Sequence, residues 1–99
     1  MASNLDLNFE WDHAKAAANL RKHKVSFDEA KTVFADPFSI TINDATHSDD
    51  EYRFADIGVS VNGRILVVVY TERTPKTRLI SSRRATKAER YMYEQRKES

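Results

Sequence analysis

The sequence predicts an α+β domain in which helices are segregated from an antiparallel sheet. Three observations carry this. Two helix signatures come first: an Ala-rich stretch behind Asp12, and Ser26-Phe27-Asp28-Glu29 in the Ser-x-x-Glu form of a capping box. A run of alternating apolar and polar residues, broken by turn signals, follows from residue 38 to residue 82. A second capping box, Thr86-Lys87-Ala88-Glu89, then opens a closing helix. With 99 residues, 40% hydrophobic and 31% charged, the chain suits one folded domain with a modest core rather than a disordered segment.

Each element has a local reason. Phe9-Glu10-Trp11 alternates apolar and polar, as a short first strand would. Asp12 is placed to cap a helix over residues 13–23, and Arg21-Lys22-His23-Lys24 put cations where the helix dipole favours them. Ser26 opens a second helix with Phe27, Ala30 and Phe34 on one face, and Pro37 stops it. Phe38, Ile40 and Ile42 alternate with Ser39 and Thr41 as a strand. Residues 43–51 form a polar, acidic loop. Ala55, Ile57, Val59 and Val61 alternate with Asp56, Gly58 and Ser60, and Asn62-Gly63 predicts a type I′ hairpin turn. Residues 65–70 are continuously apolar, which predicts a central strand covered on both faces. Thr74-Pro75-Lys76 is a turn, and residues 78–82 form the last strand. The final helix is expected to set Ala88, Tyr91, Met92 and Gln95 on one side. The sheet therefore has about four strands, plus the short first one.

The net charge of +1 conceals an asymmetry. Residues 1–50 carry 5 Lys+Arg against 9 Asp+Glu, and residues 73–99 carry 9 against 3. A basic C-terminal quarter is a polyanion-binding cue, although a solvated helix face has the same composition. The chain has no cysteine, so thiolate chemistry is excluded and a reducing cytoplasm suits it. Its start lacks the basic and apolar blocks of a signal peptide, and its longest apolar run is too short to span a bilayer.

The usual catalytic signatures are missing. Gly58 and Gly63 are the only glycines, so there is no phosphate-cradling loop or nucleophile elbow. His13, His23 and His47 have no zinc-ligand spacing. Asp44, His47, Asp49 and Asp50 are better explained as a solvated loop than as a cation site. Arg83 and Arg84 stand where the last strand runs into a helix, so guanidinium forks and free backbone N–H groups would point at one place and suit a phosphate. Arg, Lys, His, Tyr and Glu suffice to cleave RNA, because the substrate's 2′-hydroxyl is the nucleophile. Thr71-Glu72-Arg73 closes the central strand. Antiparallel pairing with the last strand would put it at the opposite end from Arg83-Arg84; parallel pairing or a bulge would let them converge. Arg90 and Tyr91 lie near the start of the final helix, where Tyr91 is equally a core residue or a stacking or proton-transfer group. Lys22-His23 is an acid/base candidate, with helix-terminal cations the simpler account. His47 is a further proton-transfer candidate.

Phe9-Glu10-Trp11-Asp12, Lys15, Asn19, Lys22-His23, Val25-Ser26-Phe27 and Ala30 resemble the opening of BrnT-type toxins. His47-Ser48, Glu51-x-Arg53, Ile57-Gly58, Val69-Tyr70-Thr71-Glu72-Arg73 and Ile80-Ser81-Ser82-Arg83-Arg84-Ala85-x-x-x-Glu89-Arg90 are similar to the rest of that pattern, which covers residues 8–95. The resemblance implies a single RelE-like domain over residues 1–99, with residues 1–7 a flexible start. It implies a metal-independent, cofactor-free endoribonuclease that blocks translation in the cytoplasm. It also implies a BrnA-type ribbon-helix-helix antitoxin in a 2:2 complex, through which alone operator DNA is bound. Arg53, Thr71, Arg73, Arg83, Arg84 and Tyr91 are the family-matching positions. The candidate catalytic set is Arg83, Arg84, Arg73, Arg53, Tyr91, His47 and Glu72. The candidate RNA-binding set is Lys22, His23, Thr71, Lys87 and Arg90. The rival readings are a non-catalytic module that binds nucleic acid or protein through the same basic patch, and a pure protein-interaction subunit.

Overall fold

In the computed structural model, which describes residues 8–44 and 52–99, helices cover both faces of a five-stranded sheet. The chain runs β1 (Phe9–Glu10), α1 (His13–His23), α2 (Phe27–Ala30) with a 3-10 segment (Lys31–Ala35), β2 (Ile40–Asp44), β3 (Arg53–Val59), β4 (Ile65–Arg73), β5 (Lys76–Arg84) and α3 (Lys87–Glu98). His47 and residues 1–7 lie outside the described residues. The strand order is β1-β5-β4-β3-β2, an antiparallel meander to which β1 adds in parallel, with Phe9 opposite Thr77. The sheet is thus mixed and one strand larger than the meander alone.

β4 is central, as its apolar run requires. Leu66, Val68 and Tyr70 face Val25, Phe27, Ala30 and Val33 from the N-terminal helices. Val67 turns the other way, to Ala55, Ile57 and Tyr93 of α3. The alternation is the two-residue period of a pleated strand with both faces buried. Aromatic packing ties the N-terminal layer to the sheet: Phe34 lies 5.1 Å from Phe9 and 4.8 Å from Tyr70, centroid to centroid. Asp56 is buried on this side, and burial pushes its carboxyl up although the Thr41 and Tyr70 hydroxyls donate to it at 2.7 and 2.8 Å.

Two local expectations are revised and one open alternative is decided. The β3–β4 connection is not a type I′ turn. Ser60 and Arg64 pair around the three residues Val61, Asn62 and Gly63, and Gly63 is the position with positive φ (81°). Such a turn closed by a left-handed glycine is the usual three-residue hairpin. Second, Ser26 caps α2 through the Glu29 N–H, but the Glu29 carboxylate goes to Ser60 and Arg64 instead of completing a capping box. Third, α3 buries Tyr93, while Tyr91 is 63% and Met92 45% exposed. The Tyr93 hydroxyl donates to Asp36 Oδ2 at 2.6 Å, and that hydrogen bond sets which side of the helix faces the sheet. Burial pushes the Asp36 carboxyl up, but Tyr93 and the N–H groups of Val59 and Phe38 outweigh it and hold it below the usual range.

Candidate functional site

β4 and β5 pair antiparallel, with Leu66 opposite Arg84, Val67 opposite Arg83 and Arg73 opposite Lys76. The expected candidates therefore separate. Arg53, Thr71, Glu72 and Arg73 lie towards one end of the sheet, and Arg83 and Arg84 close the other. Seven residue steps of strand lead from Leu66 to Arg73, roughly 23 Å at the usual rise. One phosphate cannot touch both groups. At the first end Thr71 is buried and donates to the Tyr52 carbonyl at 2.8 Å, and Glu72 accepts from the Thr77 hydroxyl at 2.8 Å.

The other end forms a cleft of about 300 Å³ lined by Gly63, Arg64, Ile65, Arg84, Ala85 and Arg90. Three arginines thus converge from three places: the start of β4, the end of β5 and α3. Arg64 was missed in the sequence. The signal for it was weak: a lone arginine behind a turn glycine, whose partner Glu29 lies far away in the chain.

Arg64 is held before any ligand arrives. Its Nε donates to Glu29 Oε2 at 2.9 Å, and its Nη2 donates to Glu29 Oε1 and to the Lys24 carbonyl. The Ser60 hydroxyl adds a 2.7 Å hydrogen bond to Glu29. The Arg64 guanidinium beside Glu29 holds that carboxyl down at about 2, so the pair is ionised throughout the neutral range. Nη1 of Arg64 has no bond among the described residues, so the fork keeps donors for an anion. Arg84 and Arg90 are exposed and carry no side-chain hydrogen bond or ion pair among the described residues.

Arg83 differs from its neighbour. It faces α3, where Nη1 and Nη2 donate to both carboxylate oxygens of Glu89 at 2.8 and 2.9 Å. Glu89 also accepts the Thr86 N–H at 2.8 Å and completes the capping box. The Arg83 fork, then burial against it, then the Thr86 N–H set the Glu89 carboxyl, which lies at about 2. The expectation that Arg83 and the helix N-terminus jointly face an external phosphate is therefore revised. The protein's own carboxylate occupies that position.

Lys87, Arg90 and Tyr91 are spaced i, i+3 and i+4 and share one exposed side of α3. Lys22 and His23 line a separate groove between α1 and β5 with Lys15, Ala18, Asn19, Ile80 and Ser81. Asn19 fastens α1 to the strand beneath: its amide donates to the carbonyls of Val25 and Ser82 at 2.9 and 2.8 Å, and it accepts the Ser82 N–H at 3.0 Å. Among the described residues no three His, Cys, Asp or Glu side chains are grouped to hold a metal ion. No described helix is long and apolar enough to cross a membrane.

No curated protein matches the chain. The crystal structure of the Brucella abortus ribonuclease toxin BrnT, solved at 1.1 Å resolution, is similar with a TM-score of 0.59 and 22% identity, over 81% of this chain and 97% of that one. That likeness establishes the α+β fold. The family model described as the ribonuclease toxin BrnT of type II toxin-antitoxin systems matches residues 11–89. A match over most of the 99 residues, with the two N-terminal helices, the sheet and the closing helix all in place, makes this chain a member of the BrnT ribonuclease toxin family.

Proposed function

We propose that the chain is a metal-independent endoribonuclease that inhibits translation in the cytoplasm, and that the cleft of Arg64, Arg84 and Arg90 binds the scissile phosphate. The observation that carries this reading is that three arginines, Arg64, Arg84 and Arg90, line one cleft of a ribonuclease-toxin fold. The substrate supplies the 2′-hydroxyl nucleophile. Its attack on the adjacent phosphorus builds negative charge on the non-bridging oxygens, and the 5′-oxygen leaves with a proton. Fixed cations aimed at that charge lower the barrier without reorganising. Arg64 is the pre-set member, because Glu29 holds it. Arg84 and Arg90 close on the phosphate from either side.

In this reading Arg83 is a positioning residue: with Glu89 it anchors α3 and so places Arg90. Tyr91 and Lys87, beside Arg90 on α3, serve as a stacking surface and a backbone contact for the RNA. Tyr91, His23 and His47 are the proton-transfer candidates, of which His47 lies outside the described residues. Arg53, Thr71, Glu72 and Arg73, at the far end of the sheet, contact flanking RNA or the antitoxin rather than the scissile phosphate. A type II toxin has a cognate antitoxin. A BrnA-type ribbon-helix-helix protein in a 2:2 complex is the partner we infer, and it alone contacts operator DNA.

The test is purified toxin on end-labelled RNA in EDTA, with and without translating ribosomes. The expected products end in 2′,3′-cyclic phosphate or 3′-phosphate. Salt-dependent RNA binding with no products in either setting would instead favour a non-catalytic binding module.

A further inference from the structure

Apart from His23, the groove between α1 and β5 has a lining to which the catalytic reading gives no role. Its rim carries Lys15, Lys22 and His23, its shallow apolar floor is the exposed Ala18 and the half-buried Ile80 beside the buried Asn19, and no acidic side chain among the described residues lines it. Its volume is about 220 Å³. Ile80 reaches this floor because β5 is irregular there. Val69 pairs with Ser81 and Tyr70 with Leu79, so Ile80 is an extra residue without a partner on β4. A bulge of this kind re-aims a side chain out of the ordinary alternation. Ser82, whose backbone Asn19 clamps at both N–H and carbonyl, separates this floor from Arg83 and Arg84. From Ser81 to Arg84 the strand advances roughly 10 Å. The groove and the arginine cleft are therefore neighbours on one strand. The Lys24 carbonyl, just beyond His23, is itself bound by Arg64 of the cleft.

We propose that this groove is a nucleotide subsite that holds the single-stranded RNA next to the scissile phosphate, a proposal that rests on the cleft reading above. A ring system fits the apolar floor between Ala18 and Ile80. The ammonium groups of Lys15 and Lys22 take the flanking phosphate, and His23 offers a ring nitrogen to a base edge. Lys15 and Lys22 stand seven residues apart on α1, two turns along the same side, and so follow a strand laid along the helix. The arrangement suits a single strand and not a duplex, because only an unstacked base can enter the floor.

The experiment uses 2′-O-methyl oligonucleotides, which lack the nucleophilic hydroxyl, so binding is read apart from cleavage. Affinities for a dinucleotide and a hexanucleotide are measured against salt for the wild type, K15A/K22A, A18W and R84A/R90A. A charge-matched control, R21A/R96A, alters exposed residues that line neither the groove nor the cleft. The K15A/K22A protein is expected to bind the hexanucleotide at least tenfold more weakly, with the slope of log affinity against log salt smaller by about 1.4. A18W, which fills the floor and leaves every charge in place, is expected to lose the hexanucleotide's advantage over the dinucleotide. Hexanucleotide affinity within twofold of wild type in both groove variants would overturn the subsite, as would an equal loss in R21A/R96A. Binding of an acidic peptide in place of the oligonucleotide would also overturn it. Unchanged dinucleotide affinity in R84A/R90A would instead count against the cleft, so the two failures are distinguishable.

Discussion

Glu29→Gln tests the claim that the cleft is built before RNA arrives. Glu29 is 8% exposed and accepts from Ser60 and from two nitrogens of Arg64. Its carboxyl is lowered from 4.5 to about 2, with the Arg64 hydrogen bonds the largest cause. At about 1.4 kcal/mol per pH unit, that fall corresponds to about 3 kcal/mol of stabilisation by the ionised form. The Arg64 side chain is 24% exposed and regains water in the variant, so about 2–3 kcal/mol is expected at pH 7. Glutamine keeps the shape and removes the charge. The folded value lies below the unfolded one, so the stabilisation is complete above pH 4.5 and is lost as pH falls towards 2. By pH 3 the difference between the two proteins should have fallen by more than half. Urea unfolding of both proteins at pH 7, 5, 4 and 3 measures this, as a shift in midpoint at constant slope. A difference below about 0.5 kcal/mol at pH 7, or one that stays flat down to pH 3, would show that Glu29 does not hold Arg64 as an ionised partner.

Two further substitutions probe the scaffold that places the cleft. Gly58→Ala puts a Cβ 2.9 Å from Val33 Cγ1 and 3.0 Å from Ser39 Cβ, and should destabilise by roughly 1–3 kcal/mol in the same unfolding assay. Tyr93→Phe removes the hydrogen bond to Asp36 and should cost roughly 1–2 kcal/mol, with amide exchange accelerating in α3 more than in β4.

Much of the fold is legible because single local signals dominate. Asp12, Ser26 and Thr86 cap the helices that their positions announce. The apolar run on β4 can be buried on both faces only at the centre of a sheet. What was not legible depends on distant partners. Glu29 has the sequence of a capping-box residue, yet Arg64 offers it two hydrogen bonds and a charge, which outweigh one bond to a backbone N–H. The helical pattern of α3 set Ala88, Tyr91, Met92 and Gln95 on one side and left open whether Tyr91 belongs to the core. Tyr93 won because Asp36, from the 3-10 end, waits beneath it as an acceptor. The site follows the same division. Arg84 and Arg90 were visible in the basic C-terminal quarter. Their convergence with Arg64 was not, because it comes from strand register and a pairing that spans much of the chain. Arg83 looked equivalent to Arg84, but adjacent residues on a strand face opposite ways, and only Arg83 meets Glu89.

The most direct test of the central claim compares the two ends of the sheet. Single-turnover cleavage of one RNA is measured for the wild type, R84A/R90A and E72Q/R73A, with circular dichroism confirming that each is folded. A loss of roughly 100- to 1000-fold or more is expected in R84A/R90A, the scale for removing transition-state donors, with a far smaller change in E72Q/R73A. Full activity in a folded R84A/R90A protein, with the loss falling instead on E72Q/R73A, would contradict the claim.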